Sequence, residues 1–305
     1  MDERSRPAGA KRSAAKTLVR VAMTVAIVTV LPGCLLPMVN APTGAGPMRY
    51  RDTVFTSSTD TRDIQYGSAP DLSGNPVALM LDVHEPAGDT AAQRPVVVNV
   101  HAGGFYEGDK SDGYLDNPLV QRGFVVVDIN YRLLGSQSCW LPQSFDAQCE
   151  AAAEAAIHDG QAAVRWVRAN ADRFRMDPNR VAVEGFSAGG IVATGVGVMS
   201  DQVGDSGNPG YSSRVDAWVS IAGGLPGGRY VDGSDPPGYL MSGDQDTIVP
   251  HQWSVDTANA LSAAGQAAVL FTLKGFGHDL PPLAIVTSQS ANFYYLALHL
   301  AQAAQ

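Results

Sequence analysis

Residues 181–197 read VAVEGFSAGGIVATGVG, and near their centre Ser187 stands between Gly185 and Gly189 in the spacing G-x-S-x-G. β-favouring residues lead into small ones and then into an apolar run, the pattern of strand, tight turn and helix. A dinucleotide cradle would need glycines at G-x-G-x-x-G. A serine in the middle of the cluster instead suits a nucleophile held clear of both flanking elements. A Cβ at Gly185 or Gly189 would collide across such a turn, and the Ala188 N–H lies where an oxyanion would develop. A glycine-rich core turn has the same spacing, so chemistry at Ser187 requires partners from elsewhere in the chain.

Three further strand ends supply candidates. The run VVVNVHAGGF ends in His101-Ala102-Gly103-Gly104, where glycine lets backbone N–H groups approach a developing negative charge; Gly103 and Gly104 are the expected donors. YLMSGDQDTIVP carries two carboxylates, Asp244 and Asp246, either of which can orient an imidazole. LFTLKGFGHDL places His278 after another strand, at the edge of a parallel sheet where ligands bind. The order serine, acid, histidine is that of Ser187, Asp246 and His278, whereas His101 precedes the serine and is expected to brace its loop.

The elements that position these residues alternate. RPVVVNVH and GFVVVDINY are unbroken apolar, β-branched runs, as in parallel strands covered on both sides, while VALMLDVHEP alternates like a strand with one solvated face. Helical spacing runs from Glu150 to Ala171. There follow a strand at 181–184, a helix from Gly190, strands at AWVSIAG and YLMSG, a helix at WSVDTANALSAAG, a strand at AVLFTLKG and a last helix near ANFYYLALHLAQ. Strand and helix in turn predict an α/β fold, a mostly parallel sheet with helices on both faces. No repeat or second core divides the domain.

Composition narrows the partners. The chain has 305 residues, 45% apolar and 17% charged, with a net charge of −9, and a cut after Gly33 would leave 15 basic against 28 acidic residues. Such a surface repels nucleic acid. Residues 1–33 hold six basic residues and then the apolar run 21–31, too short to span a bilayer, ending in Leu-Pro-Gly-Cys. That is the layout of an export signal, and Cys34 stands where a bacterial lipoprotein is acylated; the chain is expected in the cell envelope, held to the membrane by that anchor, with plain secretion as the alternative. Residues 34–48 then read as a tether and 49–305 as the folded domain. Outside the cytoplasm Cys139 and Cys149, with nine residues between them in SCWLPQSFDAQC, are expected to form a disulfide of about 2 to 3 kcal/mol. The six histidines follow no metal-ligand spacing.

From about Arg49 to its end the chain resembles the α/β-hydrolases of the bacterial carboxylesterase and hormone-sensitive-lipase-like group. HAGGF stands where that group has H-G-G-G, DINYRL matches its N-Y-R-L, DPNRVAVEGFSAGG matches the approach to its nucleophile and GDQDTIVP its acid loop. The resemblance implies a parallel sheet with antiparallel first strands, Asp246 rather than Asp244 as the acid, an oxyanion hole of Gly103, Gly104 and Ala188, no cofactor, and a small ester with a short or acetyl acyl group as substrate. Ala102 and Phe186 depart from the group's pattern, and Cys139 and Cys149 lie in an insertion whose Trp140 and Phe145 either line a pocket or pack the loop. An arylesterase or formamidase differs only in pocket shape, a peptidase of the prolyl-oligopeptidase type would need a large gating domain, and a surface binding protein on this fold would lack a triad member.

Overall fold

Two unbroken apolar runs, Arg94–Val100 (β3) and Val125–Ile129 (β4), lie parallel and side by side with every residue buried, in the interior of an eight-stranded sheet. Their alternate side chains feed two different cores, which is why no polar face interrupts them. Val96, Val98 and Val100 join one cluster, and Val97 joins the other. The remaining strands are Ser58–Pro70 (β1), Pro76–Pro86 (β2), Met176–Phe186 (β5), Ala217–Ile221 (β6), Gly238–Gly243 (β7) and Ala268–Leu273 (β8). Their order across the sheet is β1-β2-β4-β3-β5-β6-β7-β8. Strands β1 and β2 pair antiparallel, β2 is antiparallel to β4, and every pair from β4 to β8 is parallel. This is the expected sheet, antiparallel at its start.

The computed structural model describes residues 46–112, 116–140, 145–202, 204–279 and 283–300. The expected export segment 1–33, Cys34 and the tether up to residue 45 lie outside them. Within them Tyr50 is already buried, its ring edge-on to Phe124 with centroids 5.4 Å apart. Helices cover both faces of the sheet. Ala147–Ala169 (α2), Ala188–Val198 (α3) and His251–Ala263 (α4) bury Ala156, Ile191 and Leu261 on one side. Asp116–Val120 (α1) and Leu283–Ala297 (α5) place Leu119 and Tyr294 on the other.

Several elements differ from the sequence reading. Strand β1 was not expected, since most of its side chains are exposed and an edge strand shows no alternation. Helix α2 starts at Ala147, three residues before Glu150, because the Asp146 carboxylate accepts from the N–H groups of Gln148 and Cys149 at 3.0 Å. Helix α5 starts at Leu283, eight residues before the expected helix at Ala291, and α3 starts at Ala188 rather than Gly190.

A buried charge cluster holds the chain leaving β4. The Arg132 N–H donates to Asp159 at 2.8 Å, its guanidinium donates to Asp159 at 3.1 Å and to Asp205 at 2.9 Å, and the Asp159 side chain is fully buried on α2. A polar row also crosses the sheet on its α5 side. Asn99 is in register with Asp128 on one neighbour and Glu184 on the other, and donates to Asp128 at 2.6 Å. His84 sits between Asp128 at 3.0 Å and Asp60 at 2.9 Å. Tyr294 donates to Glu184 at 2.9 Å. Burial pushes the Glu184 carboxyl up to about 8, opposed by the Tyr294 hydrogen bond and reinforced by the charge of Asp128. Burial acts to lower His84, but the hydrogen bonds and charges of Asp128 and Asp60 outweigh it and raise the imidazole to about 9.

Removing Arg132 as Arg132→Ala strands a buried carboxylate and should cost about 3 to 5 kcal/mol, read as a lower urea midpoint. Arg132→Met combined with Asp159→Leu should cost less, because no charge is left behind. For Glu184 the native state holds a proton from the ordinary value of 4.5 up to about 8 while the unfolded chain has released it, so stability falls as pH rises through that window. The contribution of His84 is complete below its ordinary 6.5 and is lost as pH rises through about 9, the same sign. Urea unfolding at pH 5, 6.5 and 8 should therefore show a downward slope, shallower in Glu184→Gln by up to about 1.4 kcal/mol per pH unit.

Candidate active site

Ser187 sits between the end of β5 and the start of α3 with φ 58° and ψ −119°. A positive φ is strained for serine, at roughly 1 to 3 kcal/mol, and persists only where neighbours enforce it. Here its N–H donates to the Ile221 carbonyl at 2.9 Å, and its carbonyl accepts from the Ile191 N–H at 3.0 Å. Close approach completes the constraint. A Cβ on Gly189 would lie 2.1 Å from the carbonyl oxygen of Val100, so only glycine lets the start of α3 meet the end of β3.

The acid and the imidazole reach Ser187 from the ends of β7 and β8. His278 Nδ1 lies 2.8 Å from Asp246 Oδ2, and Nε2 lies 2.8 Å from Ser187 Oγ. Because a carboxylate only accepts, Nδ1 carries a hydrogen, and in the neutral imidazole Nε2 then accepts from Ser187. The Asp246 side chain is fully buried, and its other oxygen accepts from the N–H groups of Ile248 at 2.8 Å and Val249 at 2.9 Å. Asp244 points elsewhere, accepting from the Gly275 N–H at 2.7 Å and pairing with Lys274 at 3.3 Å. A hydroxyl bonded to a bare imidazole nitrogen whose other nitrogen is anchored on a carboxylate can act as a base-activated nucleophile.

The loop after β3 turns sharply, with Gly103 at φ 118° and Gly104 at φ 60°. A Cβ on Gly103 would fall 1.8 Å from the Glu107 carbonyl oxygen, and the Gly103 carbonyl accepts from Tyr106 and Glu107 at 3.0 Å. Among the described residues no acceptor takes the N–H of Gly103, Gly104 or Ala188. Gly104 and Ala188 line the same pocket as Ser187, while Gly103 lies one residue back and does not. His101 braces this loop. Its Nδ1 donates to the Ala102 carbonyl at 2.6 Å and its ring stacks on Tyr131 with centroids 4.2 Å apart, and burial lowers its pKa.

A small pocket lies over Ser187. Cys139 and Phe145 are on its wall, so the insertion borders the site; the Trp140 side chain lies outside the described residues. Cys139 and Cys149 are joined by a disulfide. Phe105, Ile191, Ile248, Val249 and Trp253 complete the wall, and sequence reasoning named none of them. Trp253 carried one usable signal, its place in the first turn of the helix that follows the Asp246 loop. Phe186 was noted only as a departure, yet its ring lies against the His278 imidazole with centroids 5.2 Å apart. Among the described residues no group of three or more His, Cys, Asp and Glu could hold a metal ion.

Comparison with known proteins agrees with this architecture. The family model BD-FAE matches residues 81–224, a span that contains the 101–104 loop and Ser187 but ends before Asp246 and His278. The para-nitrobenzyl esterase of Bacillus subtilis is 36% identical over 142 residues, 46% of this chain and 28% of that protein. The chain spans less than a third of the length of the curated relatives it matches. A truncated carbohydrate esterase from gut microbiota superposes with a TM-score of 0.63 at 22% identity, covering 84% of this chain and all of that one. Esterase 2 of Thermogutta terrifontis, phosphonylated by sarin, gives a TM-score of 0.58 at 21% identity over 74% of this chain and 88% of that one. These matches show the fold, a sheet of this kind shared with solved esterases, and a likeness to the BD-FAE family model over residues 81–224, just under half of the chain.

Proposed function

We propose that the protein is a serine carboxylic-ester hydrolase acting on short-chain or acetyl esters. The observation that carries this reading is the unbroken line of hydrogen bonds from Ser187 through His278 to Asp246, on a pocket that Gly104 and Ala188 also line. Ser187 Oγ attacks the ester carbonyl and its proton passes to His278 Nε2; the carbonyl π electrons move onto oxygen, where the N–H groups of Ala188, Gly104 and Gly103 receive the charge. As the tetrahedral adduct collapses, the bond to the alkoxide breaks and His278 returns its proton to the leaving alcohol. Water then attacks the acyl-enzyme by the same path and releases the carboxylic acid, so the cycle needs no cofactor. Asp246 keeps the imidazole in the tautomer that leaves Nε2 free. The aromatic wall of Phe105, Phe145 and Trp253 around a small pocket supports a short acyl group.

The expected location is the cell envelope, with Cys34 acylated and the Cys139–Cys149 bond kept in an oxidising compartment. Labelled palmitate should enter the natural chain and not Cys34→Ser, and the variant should move from the membrane to the soluble fraction. Label-free membrane protein would exclude the anchor.

With p-nitrophenyl acetate, Ser187→Ala should lower kcat by about four to six orders of magnitude and Asp246→Asn by about four. A fluorophosphonate probe should label the folded natural chain and leave Ser187→Ala unlabelled. An unlabelled folded chain would point to a binding protein, and a p-nitrophenyl series peaking at C12 or longer would remove the short-chain assignment.

A further inference from the structure

Parallel strands bring the Asp246 and His278 loops to one edge of the sheet, and contacts between the loops themselves fix their relative placement there. After β8 the chain makes a reverse turn from Leu273 to Phe276, closed by the Phe276 N–H on the Leu273 carbonyl at 3.4 Å, with Gly275 at φ 78°. A left-handed third residue is the mark of a type II turn, in which the N–H of that residue is left for an outside acceptor. Asp244 supplies it. Its Oδ1 accepts from the Gly275 N–H at 2.7 Å, while its own N–H donates to the Leu273 carbonyl at 3.1 Å, so one residue grips the turn by main chain and side chain together. The next residue, Gln245, donates its N–H to the Phe276 carbonyl at 2.9 Å. At Gly243 the approach is closer still, since a Cβ there would lie 2.2 Å from the Phe276 carbonyl oxygen and 2.4 Å from that of Gly277. His278 follows directly.

We propose that Asp244 is a positioning residue for the reaction: its carboxylate holds the Lys274–Gly275 turn so that the His278 imidazole is seated between Asp246 and Ser187. The inference rests on the esterase reading. The main-chain ties on this turn are open to any sequence, whereas the bond from Gly275 needs an acceptor on the side chain at 244. That same bond holds the Asp244 carboxyl below the ordinary carboxylate value, so it remains an ionised acceptor at neutral pH. The pair with Lys274 at 3.3 Å is exposed and adds little, which makes the role that of an acceptor and not of a charge. Both imidazole nitrogens lie 2.8 Å from their partners, and misplacing a reacting group by about 1 Å can cost about a hundredfold in rate. Losing one tie among several should cost less. The two carboxylates of GDQDTIVP thus divide the work: Asp246 meets the imidazole, and Asp244 seats the loop that carries it.

The test is turnover of p-nitrophenyl acetate by Asp244 variants, read beside the rate of fluorophosphonate labelling. Asp244→Ala, with Asp244→Ser as a second variant, should lower kcat about tenfold and leave KM within about threefold. Labelling of Ser187 should slow by a similar factor yet still run to completion, which shows the variant folded. Asp244→Asn keeps an acceptor and loses only the charge, so it should retain roughly half or more of the natural kcat. In an Asp246→Asn background, where the imidazole has already lost its anchor, Asp244→Ala should cost less than about threefold. A further readout needs no substrate: the downfield proton resonance of the His278 Nδ1–H should be sharp in the natural chain and in Asp244→Asn, and broaden or vanish in Asp244→Ala. A folded Asp244→Ala with natural kcat and labelling rate, a loss confined to KM or to stability, an Asn variant as impaired as Ala, or an undiminished loss without the Asp246 carboxylate would each overturn the proposal. A natural chain that shows the downfield signal, loses it in Asp244→Ala and yet takes neither ester nor probe would instead overturn the esterase reading and leave the seating of His278 standing.

Discussion

The site depends on one place where two backbones meet with no side chain between them. At Gly189 the first turn of α3 lies against the Val100 carbonyl, so close that even a methyl group would sit 2.1 Å from its oxygen. That contact sets the serine turn at the end of β5 beside the loop that follows β3, and it fixes the distance between Ser187 and the glycines at 103 and 104. The neighbouring strands do the rest. Because β6, β7 and β8 run parallel to β5, their ends emerge at the same edge of the sheet, and the Asp246 and His278 loops arrive there without any special device. Strain at Ser187 is a consequence of the same geometry, held by bonds to Ile221 and Ile191 that belong to the sheet and the helix.

Carboxylates at different depths in this fold serve different ends. Asp246 is buried yet saturated, with two backbone N–H groups on one oxygen and the imidazole on the other, so its role as an acceptor is set by its surroundings. Glu184 is three residues before Ser187 on the same strand, but it faces α5, where one tyrosine hydroxyl meets it and burial keeps it protonated to about 8. Asp159 lies on the opposite side of the sheet and is neutralised by Arg132. The same carboxyl group thus serves as an anchor for the imidazole, a proton-holding strut and half of a core ion pair, and its neighbours decide which.

What could be read from the sequence follows from how local each signal is. β3 and β4 were legible because a strand buried on both faces has no polar positions to disguise it, and the serine turn was legible because glycine and serine are obligatory there. Asp246 and His278 were legible as residues just beyond strands, and the structure brings both to Ser187. β1 was not, since an edge strand with exposed side chains looks like a loop, and the start of α5 was hidden behind two prolines, which suit the first turn of a helix as well as a loop. Ile191 was invisible as a wall residue, because nothing in the spacing of a helix tells which neighbour its face will meet. Gly103 and Gly104 were legible together as glycines of the loop after β3; Gly104 lines the pocket over Ser187 and Gly103 precedes it.

The division between strand ends and insertion has a physical consequence for how selectivity can change. Every group in the hydrogen-bonded line stands on an element of the sheet or at its edge, where register and close packing leave no freedom. Phe145, in contrast, lies in a short loop held from outside by the Cys139–Cys149 bond and the Asp146 cap, and its contacts with Phe105 and Trp253 are side-chain edges. Altering that ring changes the wall without moving Val100, Gly189 or the turn between them. The hydrogen-bonded line is therefore fixed by the backbone, while the wall of the pocket over Ser187 is set by replaceable side chains.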